Sequence, residues 1–279
     1  MQPCHLPGLP RGPDQVSDLP AANQMMLTSS DQIIHPLQRP LQRLAVFTLG
    51  LFALQAHSSA QWSLVWEDEF DGGILDHSKW EPMIGTGTNY GLPAGWGNNE
   101  LQYYRAENAI VGGGVLTIRA KEEWYGGQPY TSARIRTKGL GDWERGRFEM
   151  RAKLPIGQGL WPAFWMLPTD EVYGTWAASG EIDIMESVGQ DPERIFGTIH
   201  YGDSYPGNVY SGGDYTLSSG TFHDDFHEFA LEWDEFQLRW YVDGQLYSVK
   251  SSWWSTGGPF PAPFDQRFHL LLNLSLIHI

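Results

Sequence analysis

The sequence predicts an all-β fold, an antiparallel β-sandwich. Three observations carry that prediction: short stretches of alternating apolar and polar residues, Gly-, Pro- and Asn-rich breaks between them, and no long window after Gln61 with the period of an amphipathic helix. Residues 64–70 (LVWEDEF) form the first expected strand after Gln61, and residues 115–120 (VLTIRA) follow a triple-glycine turn at 112–114. Residues 146–154 alternate most clearly, with Phe148, Met150, Ala152 and Leu154 on one face. The pattern continues through 196–201, 227–233 and 237–242. Asp243-Gly244 then marks a tight hairpin into residues 245–249. Residues 267–274 (RFHLLLNL) read as a buried strand. Many short strands with turn signals, and no internal repeat or linker after Gln61, suit two packed antiparallel sheets.

The chain has 279 residues, of which 61–279 suffice for one domain around one core. Residues 1–24 are Pro-rich and aperiodic and are expected to be an over-extended start, with Met25 or Met26 the expected initiator. Arg39 and Arg43 precede an apolar run at 44–54, and small residues follow up to Ala60. This is the pattern of a secretory signal peptide, with cleavage expected near Ala60-Gln61 and a secreted or periplasmic location. The run is well short of the ~20 apolar residues that span a bilayer, so no membrane attachment beyond the signal peptide is expected. Residues 1–60 are thus expected outside the sandwich domain, 61–279. The chain ends soon after a core strand, so the domain is expected to be cut short at its C-terminus, with residues 275–279 foreign to the gene.

The single cysteine, Cys4, lies in the part expected to be lost, so no disulfide supports the core. Three acids and three bases precede Gln61, so the net charge of −15 persists in 61–279. Such a chain lacks the basic footprint of a nucleic-acid binder. It suits an uncharged polymer, and all 13 Trp follow Gln61, where their indole faces can stack on sugar rings. A monomer is expected.

Residues 180–189, GEIDIMESVG, place Glu181, Asp183 and Glu186 in an otherwise apolar, β-prone run. Burying carboxylates is costly, so three of them on such a strand point to a site. Glu181 and Asp183, two apart, share a face. Glu186 is five residues from Glu181, and a regular strand would send it to the other face. One extra residue, a β-bulge near Ile184–Met185, restores the parity. Two glutamates on one face with an aspartate between them suit glycoside hydrolysis. Retaining glycosidases need two carboxyls about 5–5.5 Å apart. Glu181 is the expected nucleophile and Glu186 the expected acid/base. Asp183 is expected to raise its neighbours' proton affinity and to hold the nucleophile's rotamer.

The run EIDIME, preceded by LPIGQGLWPAFWMLP (154–168), resembles glycoside hydrolase family 16, in particular its laminarinase-like branch. WEDEFDGG (66–73), WGNNELQYY (96–104), YTSARIRTKG (130–139) and HYG (200–202) agree with it. The resemblance covers nearly all of the chain after Trp62, and the extra residue in ExDxxE distinguishes it from licheninase-type relatives. It implies a concanavalin-like jelly-roll sandwich with a concave cleft that cuts endo-β-1,3-glucosidic bonds by double displacement. It implies the same roles for Glu181, Asp183 and Glu186. Trp161 and Trp165 are implied as the cleft floor, and His200 as a neighbour of the aspartate. Asn99, Glu100 and Arg134 are implied as sugar contacts, with salt bridging or turn capping as the alternative. Trp143 is expected as a rim platform or an exposed loop aromatic.

No cofactor is expected for catalysis. The resemblance implies a structural Ca²⁺ on the convex face, with Glu69 and Gly113 as counterparts of two ligands and the segment of the third absent. That missing segment also implies an unpaired central strand and an incomplete cleft wall. The expected function is therefore secreted, retaining endo-β-1,3-glucanase action on laminarin-type β-glucan. The alternatives are a same-fold hydrolase of mixed-linkage glucan or marine galactan, and a non-catalytic glucan-binding protein.

Overall fold

The computed structural model describes residues 24–28, 32–36 and 62–277. Alternation along the sequence becomes alternation in space. In the Gly146–Lys153 strand, Phe148, Met150 and Ala152 are fully buried, while Arg147, Glu149 and Arg151 turn outward.

Twenty strands are described, β1 to β20 in chain order. The larger sheet runs β19 (Gln245–Lys250), β18 (Leu238–Val242), β17 (His227–Trp233), β12 (Gly146–Lys153), β1 (Gln24–Thr28), β7 (Leu116–Arg119) and β6 (Ala109–Val111). β2 (Gln32–Pro36) joins β12, and β3 (Trp62–Glu67) joins β2. The second sheet runs β16 (Val209–Thr216), β15 (Arg194–Tyr201), β14 (Glu181–Glu186), β13 (Leu160–Pro168), β20 (Phe268–Leu276), β10 (Arg134–Arg136) and β4 (Glu81–Pro82), with β11 (Asp142–Trp143) on β20. A small third sheet holds β5 (Gln102–Tyr104), β9 (Gln128–Ser132) and β8 (Lys121–Tyr125), and only β5 and β9 run parallel among the described pairs. The two 3-10 turns described are Thr88–Tyr90 and Ala106–Asn108. Among the described residues no helix is long and apolar enough to cross a membrane. The predicted all-β sandwich is the observed fold.

The sheets meet in one apolar cluster. Leu270, Leu272 and Leu274 of β20 share it with Met166, Ile182 and Ile184, and with Phe148, Met150, Leu231 and Trp240 of the other sheet. Each such side chain contributes about 1.5–3 kcal/mol through burial. A second, smaller cluster of Met83, Trp96, Tyr104 and Leu271 lies elsewhere, with Trp165 and Leu167 packed on it. Leu271 points opposite to Leu270 and Leu272 by strand parity, so this cluster builds a wall on the outer face of the second sheet.

Three features differ from the sequence expectations. β1 and β2 fall within the stretch 1–60 that was expected to lie outside the sandwich. Met25 and Leu27, two residues apart, are fully buried, and β1 is paired with β7 on one side and β12 on the other. Two apolar residues at period two fill that slot, a signal too short to stand out among polar neighbours. The expected signal peptide, residues 39–60, lies outside the described residues. The unpaired central strand is not found among the described residues either, since β20 pairs with both β13 and β10. Finally, Ser275, expected to be foreign, is 2 % exposed within that strand.

Candidate active site

The predicted bulge is present. Ala163 of β13 pairs with Glu186 and Phe164 with Met185, yet the next residue, Trp165, pairs with Asp183, so Ile184 is the extra residue. The same slip appears against β15, where Asp183 faces Thr198 and Glu186 faces Phe196. Ile182, Ile184 and Met185 therefore enter the core, while Glu181, Asp183 and Glu186 share the outer face. A bulge disturbs the ladder and leaves backbone groups needing partners. Here the buried Trp240 indole, reaching from β18, donates to the Asp183 carbonyl at 2.9 Å. Gly197 admits that indole, because a Cβ at Gly197 would lie 2.4 Å from Trp240 Cδ1.

Each glutamate is held by an indole. Trp161 Nε1 donates to Glu186 Oε1 at 2.8 Å, and Trp176 Nε1 donates to Glu181 Oε2 at 2.8 Å. His200 sits opposite Glu181 in the β14–β15 register, its Nε2 3.3 Å from Asp183 Oδ2 and 3.8 Å from Glu181 Oε1. Its ring lies between those of Trp176 and Tyr210, at centroid distances of 5.7 and 5.9 Å. Burial raises the proton affinity of all three carboxyls. Glu181 is pushed up to about 8, by burial first and then by the charges of Asp183 and Glu186, against the pull of His200 and the Trp176 bond. Asp183 rises well above the carboxylate range through burial and then Glu186. Glu186 rises through burial, opposed by His200 and by the Trp161 bond. Three acids so placed titrate as a coupled set rather than singly.

The β13–β20–β10 flank carries a second constellation. Arg134 is buried, its guanidinium 4.7 Å from the ring centroids of both Trp96 and Trp165. Burial lowers its pKa, and the charge of Glu181 is among those that oppose this. Trp165 Nε1 donates to Asn273 Oδ1 at 2.7 Å, and Asn273 pairs across the ladder with Arg134. Glu100 is buried, and its Oε2 accepts from Gln102 Nε2 at 2.6 Å, Tyr104 Oη at 2.9 Å and Ser275 Oγ at 2.9 Å. The geometry of Glu100 is that of a buried strut between β5 and β20. Asn99 lies beside it on an exposed loop, with a left-handed backbone (φ 57°).

Trp161, Trp165 and His200 thus gather around the acids as expected, and Trp143 does not. Its ring packs on the core cluster, 5.5 Å from Trp66 and 6.2 Å from Phe148 between centroids. In β11 it pairs with Phe268, and that parity turns it inward, away from the acid face. The expected rim platform is corrected to a core-edge aromatic.

The two expected calcium ligands lie apart from the acid face. Glu69 lines a groove of about 320 Å³ with Asp71, Asp76 and Lys79, and Gly113 is not among its lining residues. Lys79 already sits among these acids, its Nζ 3.6 Å from Asp68 Oδ1 and donating to the Glu67 carbonyl at 2.8 Å. Ca²⁺ takes six to eight oxygens, and Glu67, Asp68, Glu69, Asp71 and Asp76 all line this groove.

Sequence reading assigned no role to Asn273, Ser275, Tyr104, Trp96 or Tyr210. The signal for two of them was available: Asn273 and Ser275 are polar residues two apart in a leucine-rich strand, as one-sided polarity requires. Tyr210 was hidden because β16 carries Gly212 and Gly213, which lower its strand signal.

The family model for glycosyl hydrolases family 16 matches residues 96–270. Glucan endo-1,3-beta-glucosidase A1 of Niallia circulans is 45% identical over 230 residues, covering 77% of this chain and 34% of that protein. Beta-glucanase of Rhodothermus marinus is 43% identical over 239 residues, covering 80% of this chain and 78% of the relative. The chain thus spans about a third of the first relative and most of the second. The catalytic domain of an endo-1,3-beta-glucanase (laminarinase) from Thermotoga petrophila RKU-1 superposes with a TM-score of 0.70 at 41% identity, covering 78% of this chain and 88% of that one.

Proposed function

We propose, from the premise that this chain belongs to glycosyl hydrolases family 16 and is a glycoside hydrolase, that it cuts internal β-1,3 bonds of laminarin-type β-glucan with retention of configuration. The observation that carries the reading is the bulged β14 strand, which brings Glu181 and Glu186 to one face with an indole N–H on each. Protonated Glu186 donates to the glycosidic oxygen while the Glu181 carboxylate attacks the anomeric carbon. Glu186 then removes a proton from the water that frees the glycosyl-enzyme. Asp183 is the sink for the proton that Glu181 must lack: it is the more deeply buried acid and lies beside Glu181. Trp165, Arg134 and Asn273 offer an aromatic and polar surface on one side of the acids. The chemistry requires no cofactor. We further propose export of the protein, with the pattern at residues 39–60 as its support; cleavage near Ala60 would also remove β1 and β2 from the sandwich.

Incubation with laminarin tests the reading: new reducing ends should appear, and the first product released should be the β-anomer by proton NMR. Glu181→Gln should abolish both. A wild-type protein that binds laminarin and releases nothing overturns the reading. Product sizes on laminarin, lichenan and agarose fix the linkage, with laminarin expected to be cut fastest.

A further inference from the structure

On the acid face, three donor atoms converge that the hydrolytic reading uses only as acids and a neighbour. Glu181, Asp183 and His200 each offer one ligand atom, all lying within 4.8 Å of one another. His200 Nε2 is 3.3 Å from Asp183 Oδ2 and 3.8 Å from Glu181 Oε1. A four-coordinate zinc with donors at about 2.1 Å places neighbouring donors about 3.4 Å apart, so the gaps are those a single small cation closes. Asp183 supplies a second, independent sign. Its side chain is 4 % exposed, and Oδ2, the atom aimed at His200, is buried without a hydrogen-bond partner. A buried carboxylate oxygen that makes no hydrogen bond, here with only a 3.3 Å contact to His200 Nε2, is costly unless a cation or proton satisfies it.

The mixed donor set narrows the cation. One imidazole and two carboxylates suit Zn²⁺ and its first-row neighbours, whereas Ca²⁺ seeks a larger set of oxygens. The ladder fixes the two arms, since Glu181 and His200 are register partners on β14 and β15. The rings of Trp176 and Tyr210 flank His200. Glu186 adds a third carboxyl nearby, and the Arg134 guanidinium lies within electrostatic reach of Glu181.

We propose that Glu181, Asp183 and His200 form a binding site for a zinc-class divalent transition metal, and that the bound ion reversibly blocks hydrolysis by occupying the nucleophile. His200 Nδ1 has no hydrogen-bond partner, and metal-bound imidazoles in tight sites have one. The affinity expected is therefore modest, with Kd on the order of 1–100 µM. Metal binding stands on the geometry alone, and only its effect on turnover rests on the proposed function.

Cobalt(II) is the probe. Titrated into the full chain, Co²⁺ should give the intense visible bands of a low-coordinate site, which Zn²⁺ should displace stoichiometrically. His200→Gln and Asp183→Asn, each checked for native circular dichroism, should weaken Co²⁺ binding at least tenfold. Zn²⁺ should inhibit laminarin cleavage competitively with glucan and be reversed by EDTA. Absent cobalt bands, or equal binding by a folded His200→Gln variant, overturns the site. Failure to cleave laminarin while cobalt still binds overturns the substrate reading and leaves the metal site standing.

Discussion

On the β13–β20–β10 side of the acid-bearing strand β14, Glu100 Oε2 takes three hydrogen bonds, and Arg134 is buried between two indoles. On the β15–β16 side, Tyr210 is 73 % exposed and Gly212 leaves the strand bare between it and Asp214. Both flanks belong to one sheet and touch the same three acids. The difference follows from what covers each. The loop bearing Trp96 and the third sheet fold over the first flank and demand that every polar group there be paired. On the second flank the loop bearing Trp176 packs against His200 of β15 and leaves Tyr210 of β16 exposed. A sealed flank holds aromatic and polar groups in fixed positions, and an open flank leaves room for a polymer to pass.

The acids between the flanks give the largest expected effects. Glu181→Gln should lower kcat by at least about 10⁴-fold, and Glu186→Gln by about 10²–10⁴-fold, measured as reducing ends from laminarin. If either variant keeps wild-type turnover, the acids are not the centre of the comparison.

A stability measurement probes the same strand without substrate. Glu181 has an ordinary carboxyl value of 4.5 and is held at about 8 in the folded chain. The folded state therefore binds more protons than the unfolded one between those values. The Glu181 contribution to stability is full below pH 4.5 and is lost as pH rises through 8. Glu181→Gln should remove the Glu181 share of that decline and leave the shares of Asp183 and Glu186, so the variant should lose less stability than the parent between pH 4 and pH 8, by up to a few kcal/mol in urea unfolding. A variant that loses as much stability as the parent over that range would contradict the desolvation of Glu181.

Further down in size, the sealed flank should pay in stability and the open one in binding. Tyr104→Phe removes one donor to Glu100 and one contact with Ser275, at an expected loss of about 1–3 kcal/mol by urea unfolding. Trp240→Phe, which leaves the bulge carbonyl of Asp183 without its donor, should lose a similar amount and lower kcat as well. Tyr210→Ala should change stability by less than about 0.5 kcal/mol. It should instead raise KM for long glucan chains by about two- to tenfold, the size of one lost ring contact. Equal stability losses for Tyr104→Phe and Tyr210→Ala would erase the contrast between the flanks.

The acids were legible because strand parity is a local rule. EIDIME violates it, and the extra Ile184 is the only local repair. The fold class was legible for the same reason, since residues 146–154 or 227–233 show their period without reference to any partner. Trp143 was misread because whether a half-apolar turn residue faces in or out depends on its pairing with Phe268, far along the chain. Glu100 was open to two readings because a carboxylate looks the same in sequence whether three donors surround it or none. β1 escaped because five residues carry too few periods to be recognised.

By itself the sequence determined the all-β sandwich, the bulge and the identity of the three acids, since period-two patterning and its defect act over a few residues. The tertiary structure decided the rest: the indoles that hold Glu181 and Glu186, the Trp240 brace beneath Asp183, the buried Glu100 network and the inward turn of Trp143. Those depend on contacts between residues up to 175 positions apart, as between Glu100 and Ser275. Such contacts exist only once hydrophobic burial has brought the sheets together.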